Sequence, residues 1–406
     1  MTTLGHALRQ RGHRVTLVGI ADAEAKVLAA GLEFLPIGQA DYPAGSTREL
    51  FNRLGELSGS EALRATLAYF QHSTAMVLRE VPPALGQLGV DALLIDQATF
   101  AGATVAHVLD RPFVTLSSAL LLNAEPEVPP ATTGWRYHPA AWARLRNRLG
   151  HRLLARLTGP INQVVVDYRR EHNLPPLAAR DQAWSPLAQI CQQPAAFEYP
   201  RQRLPAWFHF TGPLTDPASR PRVPFPWHQL TGQPLIYASL GTIQNRHLGL
   251  FSSIAEACRH LDAQLVIALG GGSTPDALPP LPGSPLVVEF APQLELLSRA
   301  VLTITHGGLN TVLESLSCGV PMVAIPITND QPGVAARVAW SGTGAVVPVN
   351  RASVHRLRAA IDRVWQDGSY TKNAQRLQQA IGTAGGVTRA ADIVEKAIAT
   401  GQPVLR

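Results

Sequence analysis

The sequence predicts an α/β protein of two Rossmann-like domains, each a doubly wound parallel sheet. Three observations carry that prediction. Short apolar runs rich in β-branched residues recur ahead of loops and helical stretches, Val301–Thr305 being the clearest. A length of 406 residues exceeds one ordinary domain and suits two of roughly 200 residues each. Pro213–Pro234 is proline-rich with few apolar residues in register, which reads as a linker. The expected division is a first domain over 1–212, a linker over 213–234, a second domain over 235–385 and a terminal helical segment over 386–406.

Composition narrows the class. Hydrophobic residues make up 46 % of the chain and charged residues 16 %, as in a well-cored protein. Cys191, Cys258 and Cys318 form no CxxC, so neither a disulfide framework nor a zinc site is expected, and a reducing cytoplasm is the default. No apolar run is long enough to span a bilayer, and the opening residues do not read as a signal peptide. The net charge of +6, mostly from Arg, suits an anionic ligand or lipid surface. No basic run with interleaved aromatics points to nucleic acid.

In chain order, Thr2–Arg11 reads as a helix, with Thr2 or Thr3 as N-cap and Leu4, Ala7 and Leu8 as its buried face. Arg14–Gly19 is then a strand. That order is unusual, because a doubly wound domain normally opens with a strand whose loop faces the active site. Asp91–Asp96 is the next strand, and its final carboxylate can act as N-cap for a helix starting near Ala101. Pro112–Ser117 is another strand, followed by a loop over Ser118–Pro130.

Trp135–Thr158 reads as a helix of unusual design. Trp142, Leu145, Leu149, Leu153 and Leu157 fall on one stripe, beside a ladder of Arg144, Arg148, Arg152 and Arg156. The simpler expectation is a stripe facing the core with the Arg face solvated. The alternative is peripheral contact of 135–158 with an anionic membrane.

In the second half, Leu235–Leu240 is a strand running into Ser239-Leu240-Gly241-Thr242, and Gln264–Leu269 a strand running into Gly270-Gly271-Gly272. Val301–Thr305 leads into His306-Gly307-Gly308 and a helix from Asn310 to Ser317. A strand feeding a helix through two glycines is a phosphate cradle, since the backbone can approach an anion and the helix N-terminus offers N–H donors. His306 can add an imidazole N–H. Glu314, a turn further on, can accept two ribose hydroxyl protons. Val320–Ile325 is a strand, and Asp330-Gln331 on the loop beyond it suit a polyhydroxy ring. Phe290 and Gln293 can present an aromatic face and an amide to a planar base. Arg351–Trp365, Asn373–Ile381 and Ala390–Ala399 are helices.

The pattern PQ…HGG-LNT-x-x-E…GVP…P…DQ between Leu286 and Gly344 resembles the donor-binding signature of family 1 glycosyltransferases. The segments DALLID, ALLLNAEP, SPLAQI, FHFTG and YASLGT extend the resemblance over nearly the whole chain. They narrow it to bacterial glucosyltransferases acting on carotenoids such as zeaxanthin. The resemblance implies a GT-B fold, with two Rossmann-like domains facing across a cleft and the terminal helix packing back on the first. It also implies UDP-glucose as donor, a hydrophobic hydroxylated acceptor, inverting O-transfer, and no metal or other cofactor. Ser239, Gly241 and Thr242 become the second half of the phosphate site, and Asn310 and Thr311 join His306, Gly307 and Gly308.

By the same resemblance Asp96 orients a catalytic His. In the family that His stands in a Gly-His-x-x-Pro-like loop after the first strand, which here would lie immediately before Met1. The chain is therefore expected to lack its first strand and its base. His13, in the turn into a strand, and His6, inside a helix, are poor substitutes. The family often has Trp where this chain has Phe290, which implies weaker stacking on uracil. A macrolide, sterol or flavonoid acceptor, or UDP-sugar binding without catalysis, are the alternatives.

Overall fold

The computed structural model of the chain describes residues 1–47, 49–50, 59–177, 183–216, 223–241, 248–271 and 273–406. The first half runs α1 (Thr2–Gln10), β1 (Thr16–Gly19), α2 (Glu24–Ala29), β2 (Glu33–Pro36), α3 (Gly59–Leu88), β3 (Leu93–Asp96), α4 (Gly102–Leu109), β4 (Phe113–Ser117), α5 (Ala141–Leu157), α6 (Gly159–Glu171), β5 (Gln189–Cys191) and β6 (Phe208–Phe210). Its strands fall into two parallel sheets, β1-β2 and β3-β4-β5-β6. In a doubly wound sheet the opening strand stands between the second and the fourth. The break between β1 and β3 falls at that place, and no strand among the described residues bridges it.

The second half runs β7 (Leu235–Ser239), α7 (Leu248–Cys258), β8 (Gln264–Ala268), β9 (Leu286–Val288), α8 (Gln293–Leu297), β10 (Ala300–Thr305), α9 (Leu309–Ser317), β11 (Met322–Ala324), α10 (Gln331–Trp340), β12 (Gly344–Val346), α11 (Val354–Gln366), α12 (Gly368–Ala384) and α13 (Gly386–Thr400). The sheet order β9-β8-β7-β10-β11-β12 is the doubly wound 3-2-1-4-5-6 arrangement. Its strands are apolar on both faces because both are covered. Ile236, Ala238, Ile267 and Ile304 pack under α7 and α11, while Tyr237, Val266 and Ala268 pack against Leu296 and Leu297 of α8.

α13 crosses back to the first half. Ala390, Ala391, Ile393 and Val394 join Leu4 and Leu8 of α1 and Val114, Leu116 and Ile190 of the four-stranded sheet in one core. Arg11 reinforces the contact from the surface, 2.7 Å from Asp392 and 2.8 Å from Glu395. Beyond α13, the Val404 N–H donates to Leu187 O at 2.8 Å.

Some local expectations need correction. The N-cap of α1 is Met1 rather than Thr2 or Thr3, because the Gly5 N–H already donates to Met1 O at 2.9 Å. Asp96 is no helix cap, since α4 begins at Gly102 with Ala101 as its N-cap. The largest correction concerns α5. Its stripe faces solvent, with Trp142, Leu145, Leu149 and Leu153 exposed at 57, 58, 54 and 58 %. The side turned inward carries Ala143 and Asn147 instead. That face wins because the loop before α5 presents carbonyls that need donors: Asn147 Nδ2 donates to Pro126 O at 3.1 Å, and His151 Nε2 lies 3.0 Å from Val128 O.

Candidate functional site

The two central strands of the second sheet, β7 and β10, pair so that Ser239 lies opposite Thr305. Their carboxyl ends therefore release two loops side by side, Leu240-Gly241 and His306-Gly307-Gly308. His306 lies between the glycines. A Cβ on Gly241 would stand 2.6 Å from its Cε1, and one on Gly308 2.5 Å from its Nε2. Gly241 and Gly307 also take φ of +78° and +81°, which a residue with a side chain resists. The Gly307 N–H is directed to Thr305 Oγ1 at 3.3 Å, and Gly308 caps α9. The first turn of α9 thus starts beside an imidazole, an arrangement that suits an anion.

Burial pushes His306 down to about 4, against a hydrogen bond with the Ser239 backbone that pulls it up. The imidazole is therefore neutral at physiological pH. Because the folded value lies below the ordinary 6.5, its contribution to stability is present above that pH and is lost as pH falls from about 6.5 towards 4. His306→Gln is expected to remove about 1–3 kcal/mol of this pH dependence. Urea unfolding of both proteins at pH 7 and in mild acid checks it; identical pH dependence would refute the assignment.

Glu314, on the second turn of α9, is buried, and its Oε2 accepts from Gln293 Nε2 at 2.5 Å. Gln293 in turn accepts from the Tyr237 hydroxyl at 3.2 Å. A strand, α8 and α9 thus share one polar chain that fixes the carboxylate. Phe290 is half-exposed, with its ring over Gly271 so closely that a Cβ there would collide with it. Gly271 therefore makes room for the ring proposed to face a base.

Asp330 and Gln331 are not loop residues: Asp330 is the N-cap and Gln331 the first residue of α10, a helix the apolar pattern did not announce. Asp330 Oδ2 accepts from the Leu120 N–H of the first half at 3.0 Å. Burial raises its carboxyl above the usual range, partly offset by that hydrogen bond. Gln331 Oε1 accepts from Ile327 and Thr328 N–H at 2.9 and 3.0 Å, shaping its own loop. Asn310 is exposed on α9, and its Oδ1 accepts from Gln192 Nε2 of the first half at 2.9 Å. Thr311 is buried. Thr242 lies outside the described residues.

Across the cleft, Asp96 ends β3. Its Oδ1 accepts from the Ala98 N–H at 2.8 Å and its Oδ2 from the Ser118 hydroxyl. Its charge also acts on the Met1 ammonium, although burial dominates and lowers that group. His6 Nδ1 lies 3.0 Å from Ala30 O, and His13 Nε2 2.9 Å from Glu395, so both rings are engaged elsewhere. Sequence reasoning missed the residues that join the halves, namely Leu120, Gln192 and the Glu198–Arg337 ion pair. Among the described residues, no cluster of three His, Cys, Asp or Glu is placed to hold a metal.

Comparison with known proteins bears on this arrangement. The model of the family described as UDP-glucoronosyl and UDP-glucosyl transferase matches residues 60–381. The zeaxanthin glucosyltransferase of Pantoea ananas is 34 % identical over 410 residues, covering 100 % of this chain and 94 % of that protein. The zeaxanthin glucosyltransferase of Pseudescherichia vulneris is 35 % identical over 402 residues, covering 98 % and 94 %. The crystal structure of a calicheamicin glycosyltransferase superposes with a TM-score of 0.75 at 25 % identity, covering 99 % of this chain and 95 % of that one.

Proposed function

This chain belongs to the UDP-glucoronosyl and UDP-glucosyl transferase family and is a UDP-glycosyltransferase of GT-B fold, and from that premise we propose that it glucosylates hydroxyls of a hydrophobic acceptor such as zeaxanthin. The donor reading is carried by the paired loops at Gly241 and His306, a neutral, glycine-walled cradle at the N-terminus of α9. The acceptor reading is supported by the full-length likeness to two zeaxanthin glucosyltransferases.

In this reading Phe290 faces uracil, and Glu314, oriented by Gln293, accepts the ribose hydroxyls. Ser239, Gly241, Thr242, His306, Gly307, Gly308, Asn310 and Thr311 surround the diphosphate, and Asp330 and Gln331 address the hexose. The acceptor oxygen attacks the anomeric carbon from the face opposite UDP and loses its proton to a base that Asp96 orients. The His that serves in the family has no counterpart among the described residues, since His6 and His13 are engaged elsewhere. Negative charge gathering on the departing diphosphate is met by the His306 N–H and the α9 N-terminus, so no metal is required. A cytoplasmic setting suits three cysteines that are all free.

Glu314→Ala is expected to weaken UDP-glucose binding by about 1–3 kcal/mol, the scale of leaving buried hydroxyl partners unpaired. Calorimetry on the full chain measures it, and unchanged affinity would remove Glu314 from the ribose. Product analysis with UDP-glucose and zeaxanthin tests the whole reading. Transfer to a macrolide, sterol or flavonoid hydroxyl but never to zeaxanthin would move the acceptor.

A further inference from the structure

We propose that the outer face of α5 docks the protein on an anionic lipid bilayer. The proposal leans on the hydrophobic-acceptor reading for its purpose, not for the binding itself. Trp142, Leu145, Leu149 and Leu153 lie in one stripe, each more than half exposed, and an uncovered apolar stripe of this kind marks a binding face. Arg144, Arg148, Arg152 and Arg156 run beside it, all exposed, and the helix carries no Asp or Glu. At its N-terminal end the Arg146 guanidinium lies 4.9 Å from the Trp135 ring and 5.3 Å from the Trp142 ring, holding two partly exposed indoles where headgroups meet acyl chains.

A bilayer fits this face better than a second copy of the chain. Two-fold self-contact would set one Arg ladder against another with no acid on either helix. Anionic headgroups supply the missing charge, and the stripe supplies the apolar area for an in-plane helix. None of the described helices is long and apolar enough to cross a membrane, so the contact is with its surface. The inward side of α5 is tied to the Pro126 and Val128 carbonyls. The same 118–130 loop delivers the Leu120 N–H to Asp330. One loop thus touches both the inward side of α5 and the proposed hexose subsite.

Co-sedimentation of the full chain with phosphatidylcholine vesicles, with and without phosphatidylglycerol, tests this at low and high salt. The expected result is pelleting with phosphatidylglycerol vesicles at low salt and release as salt rises. Replacing all four ladder arginines by Gln should weaken that partition by about a hundredfold or more. The triple variant Leu145→Glu, Leu149→Glu, Leu153→Glu should stay in the supernatant even at low salt. Unchanged circular dichroism and an unchanged urea midpoint in both variants show that the half carrying α5 is folded. The proposal is overturned if the parent chain ignores phosphatidylglycerol vesicles at low salt, or if the glutamate variant still pellets. It is equally overturned if sedimentation velocity shows a dimer that the glutamates dissociate while vesicles stay unbound. Transfer to a water-soluble hydroxylated acceptor reads the proposed function separately, so either can fail while the other stands.

Discussion

Arg337→Ala is expected to destabilise the protein by about 3–5 kcal/mol, the scale of breaking a buried ion pair from one side. Arg337 on α10 is 1 % exposed and reaches Glu198 of the first half with two parallel bonds, Nε at 3.0 Å and Nη2 at 2.6 Å. Its Nη1 donates to Gly333 O at 3.0 Å, and its Cζ lies 4.3 Å from the Tyr199 ring centre. Removing the guanidinium leaves the Glu198 carboxylate buried, with Arg201 at 3.3 Å as its remaining cation. That second partner places the expected cost nearer the lower end.

Burial alone would raise the Glu198 carboxyl, but Arg337 and Arg201 outweigh it and hold it below its ordinary value. Its contribution is therefore present at neutral pH and is lost as pH falls below about 4.5. In the proposed reading Asp330, the N-cap of α10, addresses the sugar, so loosening α10 should also reduce glycosyl transfer more than UDP affinity. Urea unfolding, UDP calorimetry and transfer rates separate these effects. A change under about 1 kcal/mol would show that the pair contributes little net stability. Replacing both Glu198 and Arg337 by methionine should cost less than the two single changes summed, since neither charge is then stranded.

The second large effect concerns the base. Asp96→Asn is expected to slow glycosyl transfer by ~10²–10⁴-fold, the usual worth of a positioned general base, since in the proposed reading this carboxylate orients the proton acceptor. Its Oδ1 accepts from the Ala98 N–H and its Oδ2 from the Ser118 hydroxyl, which hold the side chain at the end of β3. UDP binding should persist, because the proposed donor loops lie in the second half. Calorimetry and transfer rates measure the two, and unchanged transfer would remove Asp96 from the reaction.

The strand–glycine–helix unit from Ala300 to Ser317 was legible in the sequence because it is local. Strand, glycines, His306 and Glu314 lie within one strand–loop–helix unit, so periodicity and spacing place them without knowledge of the rest. The placing of Gly241 beside His306 follows from the pairing of β7 with β10; in the sequence only the family resemblance joined the two loops. The tertiary structure alone decided what lies between distant segments. Glu198 meets Arg337 and Leu120 meets Asp330 across chain separations of 139 and 210 residues, which no periodicity encodes. The Tyr237–Gln293–Glu314 chain likewise joins three separate elements. For α5, periodicity showed an apolar stripe but not what covers it. The carbonyls at Pro126 and Val128 turned the Asn147 side inward, and the leucines were left facing out.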